Sequence, residues 1–494
     1  MSATPAFQPG RLVMVDIQGK SLDAATAAFL REHHIRAVCL FRKNLGTEAE
    51  VGQLTRDLRE VMGPEALIGL DQEGGSVVRA TFLPQPPSAM ALGAAGDESL
   101  TERVGAAVAR GLRGIGVNWN FAPVTDINNN PANPVIAERS FAEDADEVTR
   151  LAGAWMRGSL AAGVACCIKH FPGHGDTHVD SHLDLPTVDK SRAELDALEL
   201  RPFRALRDAA PSVMTAHIVY PQIDPDYPAT LSKKVLGGIL REELGYEGVV
   251  ITDALMMKAI AERYGYARAA VLAIAAGADM ILAQGSLEEQ GQSIVALQAA
   301  FASGELTQSQ GERAAARLDA LARAYPVVHD DYRGAQRDSD DALMRQAWSA
   351  GLTALRGAQA PALNERLRVY VQDSVPTDGV SEAGPTGAQV RALFAGFSDV
   401  AFVALDDIAA LAWADVPADG RRTIVASTHR ARYGERAGQW RPDLHLVLWN
   451  PFQALDVMAP TVITWGYADG ALAALRDWLQ GHSQAGARSP VTLN

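Results

Sequence analysis

Eight short apolar runs alternate with longer segments of helical periodicity between residues 11 and 325. The runs are RLVMVDI (11–17), AVCLF (37–41), ALIGLDQ (66–72), NWNFAPV (118–124), VACCIKH (164–170), SVMTAHI (212–218), GVVITDAL (248–255) and DMILAQ (279–284). Each is nearly continuous in apolar residues instead of alternating, which is how strands buried on both faces read. Segments such as SLDAATAAFLREHH (21–34) and LTERVGAAVARGLRGIG (100–116) carry the helical period between them. Eight strand-then-helix units predict a (β/α)8 barrel over residues 1–328. A doubly wound open sheet is the alternative on pattern alone.

After residue 325 the texture changes. HDDYRGAQRDSDD (329–341) is polar and charged, and residues 329–345 read as a linker. Beyond it RVYVQ (368–372), VAFVAL (400–405), RTIVAS (422–427), LHLVLWN (444–450) and TVITWG (461–466) are separated in several places by helical patterns. They predict a smaller α/β domain over residues 346–494, an αβα sandwich on a mostly parallel sheet. The chain has no G-x-G-x-x-G, Walker loop or nucleophile elbow, so no nucleotide cofactor is indicated.

Composition narrows the classes. A net charge of −14 argues against nucleic-acid binding as the main task, because phosphate recognition needs a basic surface. Cys39, Cys166 and Cys167 lie in apolar runs and read as reduced, packed thiols. No uninterrupted apolar run approaches the roughly 18 residues of a membrane span. The start, MSATPAFQPG, lacks the basic and apolar regions of a signal peptide. A soluble cytoplasmic protein is expected.

Barrels of this kind carry their active sites at the C-terminal ends of the strands. Ionisable residues gather there. Asp71 ends the third run, Asp126 follows the fourth, Lys169 and His170 end the fifth, His217 ends the sixth and Asp253 interrupts the seventh. Asp253, among apolar neighbours, is either a structural carboxylate or a nucleophile or base. Asp71 and Arg79 in DQEGGSVVR, Arg139 in ERSF, and the pair Lys169 and His170 suit a ligand with many hydroxyls, such as a sugar.

The segment KHFPGHGDTHVDSHLDLP (169–186) holds His170, His174, His178 and His182, one at every fourth position. On a helix that spacing would let two histidines share a zinc ion. Pro172, Gly173 and Gly175 oppose a helix, and Asp176, Thr177, Asp180 and Ser181 favour turns. A loop rich in acid–base groups is expected, with no metal. Within it Asp180 and His182 are two residues apart and project to the same side in extended chain. The carboxylate would then hold one ring nitrogen and raise the imidazole pKa, giving an acid–base group usable near neutrality. The alternative is a surface loop of ordinary polar residues.

Taken in order, DQEGG…R, RSF, KHFPGHG…DSH and TDALMM resemble glycoside hydrolase family 3, and most nearly its bacterial β-N-acetylhexosaminidase branch, over about residues 10–325. The resemblance implies Asp253 as catalytic nucleophile, His182 as acid/base and Asp180 as its dyad partner. It implies Asp71, Arg79, Arg139, Lys169 and His170 as the set that binds the non-reducing-end sugar. His174 is assigned to loop shape and His178 to no role. The implied activity is retaining exo-hydrolysis of β-linked N-acetylglucosamine, from peptidoglycan-derived or related glycans, through a covalent glycosyl-aspartate and without a cofactor. Alternatives are a β-glucosidase or another exo-glycosidase on the same scaffold, a sugar-binding protein without catalysis, and a metal-dependent hydrolase. A neutral imidazole in place of a second carboxylate would not repel phosphate, so phosphorolysis is a further variant.

Overall fold

The computed structural model describes residues 7–180, 184–377 and 380–493. Eight parallel strands close a barrel: β1 (Val13–Asp16), β2 (Ala37–Leu40), β3 (Leu67–Leu70), β4 (Trp119–Asn120), β5 (Ala165–Phe171), β6 (Ser212–Thr215), β7 (Val249–Ala254) and β8 (Met280–Ala283). Closure is made at β1, where Met14 pairs with Ala37 of β2 and Val13 with Ile281 of β8. Each of the eight apolar runs supplies one strand, and closure excludes the open sheet. The runs are continuous because both faces are covered: every residue of β1, β2, β3 and β5 is buried.

β4 is the shortest strand for a visible reason. Asn118 and Asn120 use side chains where a longer ladder would use backbone. Asn118 Oδ1 accepts from Ile68 N at 2.7 Å and Asn120 Oδ1 from Gln72 N at 3.0 Å. Pro123 then has no N–H to continue the ladder. Several barrel helices begin where an aspartate caps them. Asp23 accepts from Thr26 N ahead of helix Ala24–Glu32, and Asp97 from Leu100 N ahead of helix Glu98–Gly114.

The second sheet has six strands: β9 (Thr353–Leu355), β10 (Arg366–Gln372), β11 (Asp399–Leu405), β12 (Arg422–Ser427), β13 (Leu444–Val447) and β14 (Thr461–Ile463). Their spatial order is β9-β14-β13-β12-β10-β11, parallel throughout except for β9 against β14. β9 was not legible beforehand, because three residues directly after a helix carry no strand period.

The charged segment read as a linker runs into a helix, Ala335–Gly351. Its Asp340 is buried and takes two hydrogen bonds from Arg110, at 3.0 and 2.5 Å, and one from Tyr332 at 3.0 Å. The partner Arg110 is far away in sequence, so the carboxylate reads as solvated when it is not. The same helix buries Trp348 against the second domain, beside Met90, Phe452, Ile463 and Trp465. Burying apolar side chains of this size is worth about 1.5–3 kcal/mol each. Polar ties cross the same interface: Ser88 Oγ donates to Trp465 O at 2.7 Å and Trp449 Nε1 to Glu138 Oε1 at 2.8 Å. The second domain is thereby docked on the β3–β4 side of the barrel mouth. Among the described residues no helix is long and apolar enough to cross a membrane.

Candidate active site

A cavity of about 640 Å³ opens at the C-terminal mouth of the barrel. Asp71, Arg79, Arg139, Lys169, His170 and Asp253 all line it. Asp71 follows β3 directly. Arg79 follows the small hairpin of Gln72–Gly74 and Val77–Val78. Arg139 ends a short turn, Ala137–Arg139, in the loop after β4. Lys169 and His170 belong to β5, and Asp253 to β7. The hairpin needs its first glycine. Gly74 has φ +126°, and a Cβ there would lie 2.1 Å from Pro87 O.

Glu73, unnoticed in the sequence, organises the floor. Arg139 reaches it with two hydrogen bonds of 2.8 Å, Nε to Oε2 and Nη2 to Oε1. Lys169 Nζ lies 2.6 Å from Glu73 Oε1 and 2.8 Å from Asp71 Oδ1. Burial disfavours charge on all of them. The arginine and lysine outweigh it for Glu73 and hold its pKa far below the carboxylate range. Asp71 and Glu73 likewise outweigh it for Lys169 and hold its pKa above the ordinary value. Both cations therefore stay charged in a nearly dry site, presenting fixed N–H donors to hydroxyl and carbonyl oxygens. The missed signal was spacing: Asp71 and Glu73 are two apart in extended chain, so both carboxylates face Lys169.

Asp126 holds the segment after β5. His170 Nδ1 lies 2.7 Å from Asp126 Oδ2, and the backbone N–H groups of His170 and His174 donate to Oδ1 at 3.1 and 2.7 Å. Burial opposes the charge, yet His170 and these donors hold the Asp126 pKa below its ordinary value. Against an ionised carboxylate, Nδ1 of His170 carries a proton. His174 stands edge-on to His170 at 5.6 Å, and burial followed by that neighbour pushes its pKa down to about 4. Its loop is packed hard against the barrel, since a Cβ on Gly175 would lie 1.6 Å from Ile127 O.

The four-residue histidine period therefore acts on no helix. His170 lies in a strand, His174 is buried beside it, and His178 is exposed, with its Nδ1 3.3 Å from Asn130 Nδ2. Asp180 is partly exposed in the same loop and is not among the residues that line the cavity. His182 lies outside the described residues, so its pairing with Asp180 is not described. Among the described residues no three His, Cys, Asp or Glu side chains are grouped as metal ligands would be.

Asp253 Oδ1 accepts the N–H of Ala254 at 2.7 Å. His217 is buried below it, with Nε2 3.0 Å from Ala254 O and Nδ1 2.8 Å from Thr230 Oγ1. That histidine fixes the strand end beneath Asp253 and does not line the cavity. The second domain completes the rim with Thr377, Val380, Ser381 and Glu382. Arg79 donates to Val380 O at 2.8 Å and to Glu382 Oε1 at 3.2 Å, while its other terminal nitrogen lies 3.9 Å from Asp71. No motif marked these rim residues, which reach the site only through tertiary packing.

A hollow at the barrel mouth with fixed charged donors, carboxylates and one barrel-end aspartate matches what a sugar and its hydrolysis require. Comparison with known proteins agrees. The chain is 33% identical to a glycoside hydrolase family 3 β-N-acetylglucosaminidase of Paenibacillus sp. str. FPU-7, with a TM-score of 0.87 over 100% of this chain and 99% of that one. A β-hexosaminidase of Pseudomonas aeruginosa is 33% identical over 350 residues, 70% of this chain and 98% of that protein. Beta-hexosaminidase A of Pseudoalteromonas piscicida is 35% identical over 339 residues, 62% of this chain, and the match spans just over half, 56%, of that protein's length. Residues 8–321 match the N-terminal domain of glycosyl hydrolase family 3, and the chain belongs to that family.

Proposed function

We propose that the protein is a retaining exo-β-N-acetylglucosaminidase that removes a non-reducing-end N-acetylglucosamine from peptidoglycan-derived or related glycans. The observation that carries the reading is the convergence of Asp253 with Asp71, Arg79, Arg139, Lys169 and His170 around one cavity. Relatives named β-hexosaminidase support the choice of sugar. Three buried, unpaired cysteines fit a reducing compartment, so the proposal sets the reaction in the cytoplasm.

In this mechanism the charged floor holds the sugar hydroxyls, and Asp253 attacks the anomeric carbon. The bond to the leaving oxygen breaks as His182 donates a proton to that oxygen. A glycosyl ester on Asp253 results. Water then gives a proton to His182 and attacks the same carbon, releasing Asp253 and the sugar with retained configuration. Asp180 orients His182 and stabilises its imidazolium. The assignment of His182 and Asp180 rests on the DSH motif. Hydrolysis of 4-nitrophenyl sugars with and without the 2-acetamido group tests the reading. Strong preference for the acetamido sugar is expected. Equal or better cleavage of the plain glucoside would move the protein to a β-glucosidase.

A further inference from the structure

Glu138 sits next to Arg139 in the loop after β4, is 1% exposed and does not line the cavity. Its Oε1 accepts two hydrogen bonds, one from each domain. Ser76 Oγ, in the turn of the hairpin before Arg79, donates at 2.5 Å, and Trp449 Nε1 of the second domain donates at 2.8 Å. Its Oε2 is buried and has no hydrogen-bond partner among the described residues. A buried carboxylate with so few donors is costly to keep and calls for a reason. Burial pushes its pKa up, and Arg430 of the second domain is the largest influence opposing that rise. Resting on the function proposed above, we infer that Glu138 is a positioning residue: it fastens the loop that carries Arg139 to the second domain, so that the docking of that domain sets where Arg139 stands.

Two sets of contacts carry this. The first lies within the loop. Arg430 Nη2 donates to Val135 O at 2.7 Å, and the same carbonyl accepts from Arg139 Nη1 at 3.3 Å. The second domain therefore grips the loop at Val135 and again at Glu138, and one of those grips is on the carbonyl that Arg139 itself uses. The second set is a closed circuit across the domain interface. Ser76 O accepts from Glu382 N at 2.9 Å, and Tyr467 Oη donates to Glu382 O at 2.9 Å. The Tyr467 ring stands edge-on to Trp449, with centroids 4.8 Å apart. The circuit runs Glu138–Ser76–Glu382–Tyr467–Trp449 and back to Glu138. Arg139 adjoins it through the chain and Arg79 through the Glu382 side chain. Side chains that bind substrate must be held within fractions of an ångström by their surroundings, and this circuit surrounds both arginines.

The test uses the full chain and an aryl N-acetylglucosaminide. Trp449→Phe keeps an aromatic ring beside Tyr467 and deletes the N–H that Glu138 accepts. It should raise KM at least about fivefold and leave kcat within about twofold, the mark of lost binding and not of lost chemistry. Glu138→Ala should do the same, and Glu138→Gln, which keeps an acceptor oxygen, should recover most of the loss. The two side chains act through one bond, so Glu138→Ala combined with Trp449→Phe should raise KM no more than about twofold beyond the worse single variant. A wild-type KM in Trp449→Phe, KM effects that multiply, a loss confined to kcat, or a Gln variant no better than Ala overturns the inference. Hydrogen exchange reads the same link without substrate. In Trp449→Phe the amides of residues 135–140, on the other domain, should exchange at least about fivefold faster. A wild type that cleaves no N-acetylglucosaminide sinks the proposed function alone. The exchange then judges the inference, and a wild-type rate at 135–140 overturns it.

Discussion

Glu73 and Arg139 form a two-pronged ion pair at the base of the cavity, two hydrogen bonds of 2.8 Å each, with only 7% and 6% of their side chains exposed. Removing one partner of such a pair leaves the other charge buried and uncompensated, a loss of about 3–5 kcal/mol. Here it would also leave Lys169 with Asp71 alone. Glu73→Gln should therefore lower the denaturation midpoint and raise KM for an aryl N-acetylglucosaminide together. Chemical denaturation and steady-state kinetics on the one variant read both effects. A variant with wild-type stability and KM would remove Glu73 from the role given to it.

The response of stability to acid follows from two groups. Burial opposes the charge on Glu73, but Arg139 and Lys169 hold its pKa far below the ordinary 4.5. The unfolded chain takes up that proton first as pH falls. Its contribution is therefore intact above about pH 4.5 and is lost progressively below. His174 acts earlier. Burial and then His170 depress its pKa from 6.5 to about 4, so again the unfolded chain binds the proton first. That contribution is intact above pH 6.5 and is lost as pH falls toward 4. Denaturant midpoints at about pH 7 and about pH 5 should differ, and by less in His174→Gln. An unchanged difference in that variant would show that His174 is not the group responsible.

Arg79 is held by the second domain as much as by the barrel, through Val380 O and Glu382. Glu382→Ala should release it toward solvent and raise KM about tenfold with little change in kcat, the equivalent of one charged hydrogen bond of about 1.5 kcal/mol. A drop confined to kcat would place Glu382 in the chemistry instead of in binding.

How much was legible depended on how local the cause was. Strands covered on both faces leave continuous apolar runs, which made the eight barrel strands and β10, β12, β13 and β14 legible, and the half-buried edge strand β11 keeps the same apolar run in VAFVAL. Six of the residues singled out at strand ends and in adjoining loops line one cavity, because parallel packing brings those ends to one mouth. Asp340 and Glu382 were opaque for the opposite reason. Their partners Arg110 and Arg79 are more than 200 residues away, and a carboxylate whose cation is so distant looks like solvated surface. Glu73 is the intermediate case: its two-residue step from Asp71 in DQEGG is local, but the Arg139 and Lys169 that give the step its meaning are brought in by the fold.

The central claim is that Asp253 becomes covalently bound to the sugar. Incubation with a fluorinated N-acetylglucosaminyl fluoride, which forms the glycosyl-enzyme faster than water clears it, followed by peptide mass mapping, tests it directly. One sugar adduct on the peptide that carries Asp253, with the adduct absent and kcat reduced by roughly 10³-fold or more in Asp253→Asn, is the predicted result. An adduct on another carboxylate, or an Asn variant that keeps its rate, would contradict it.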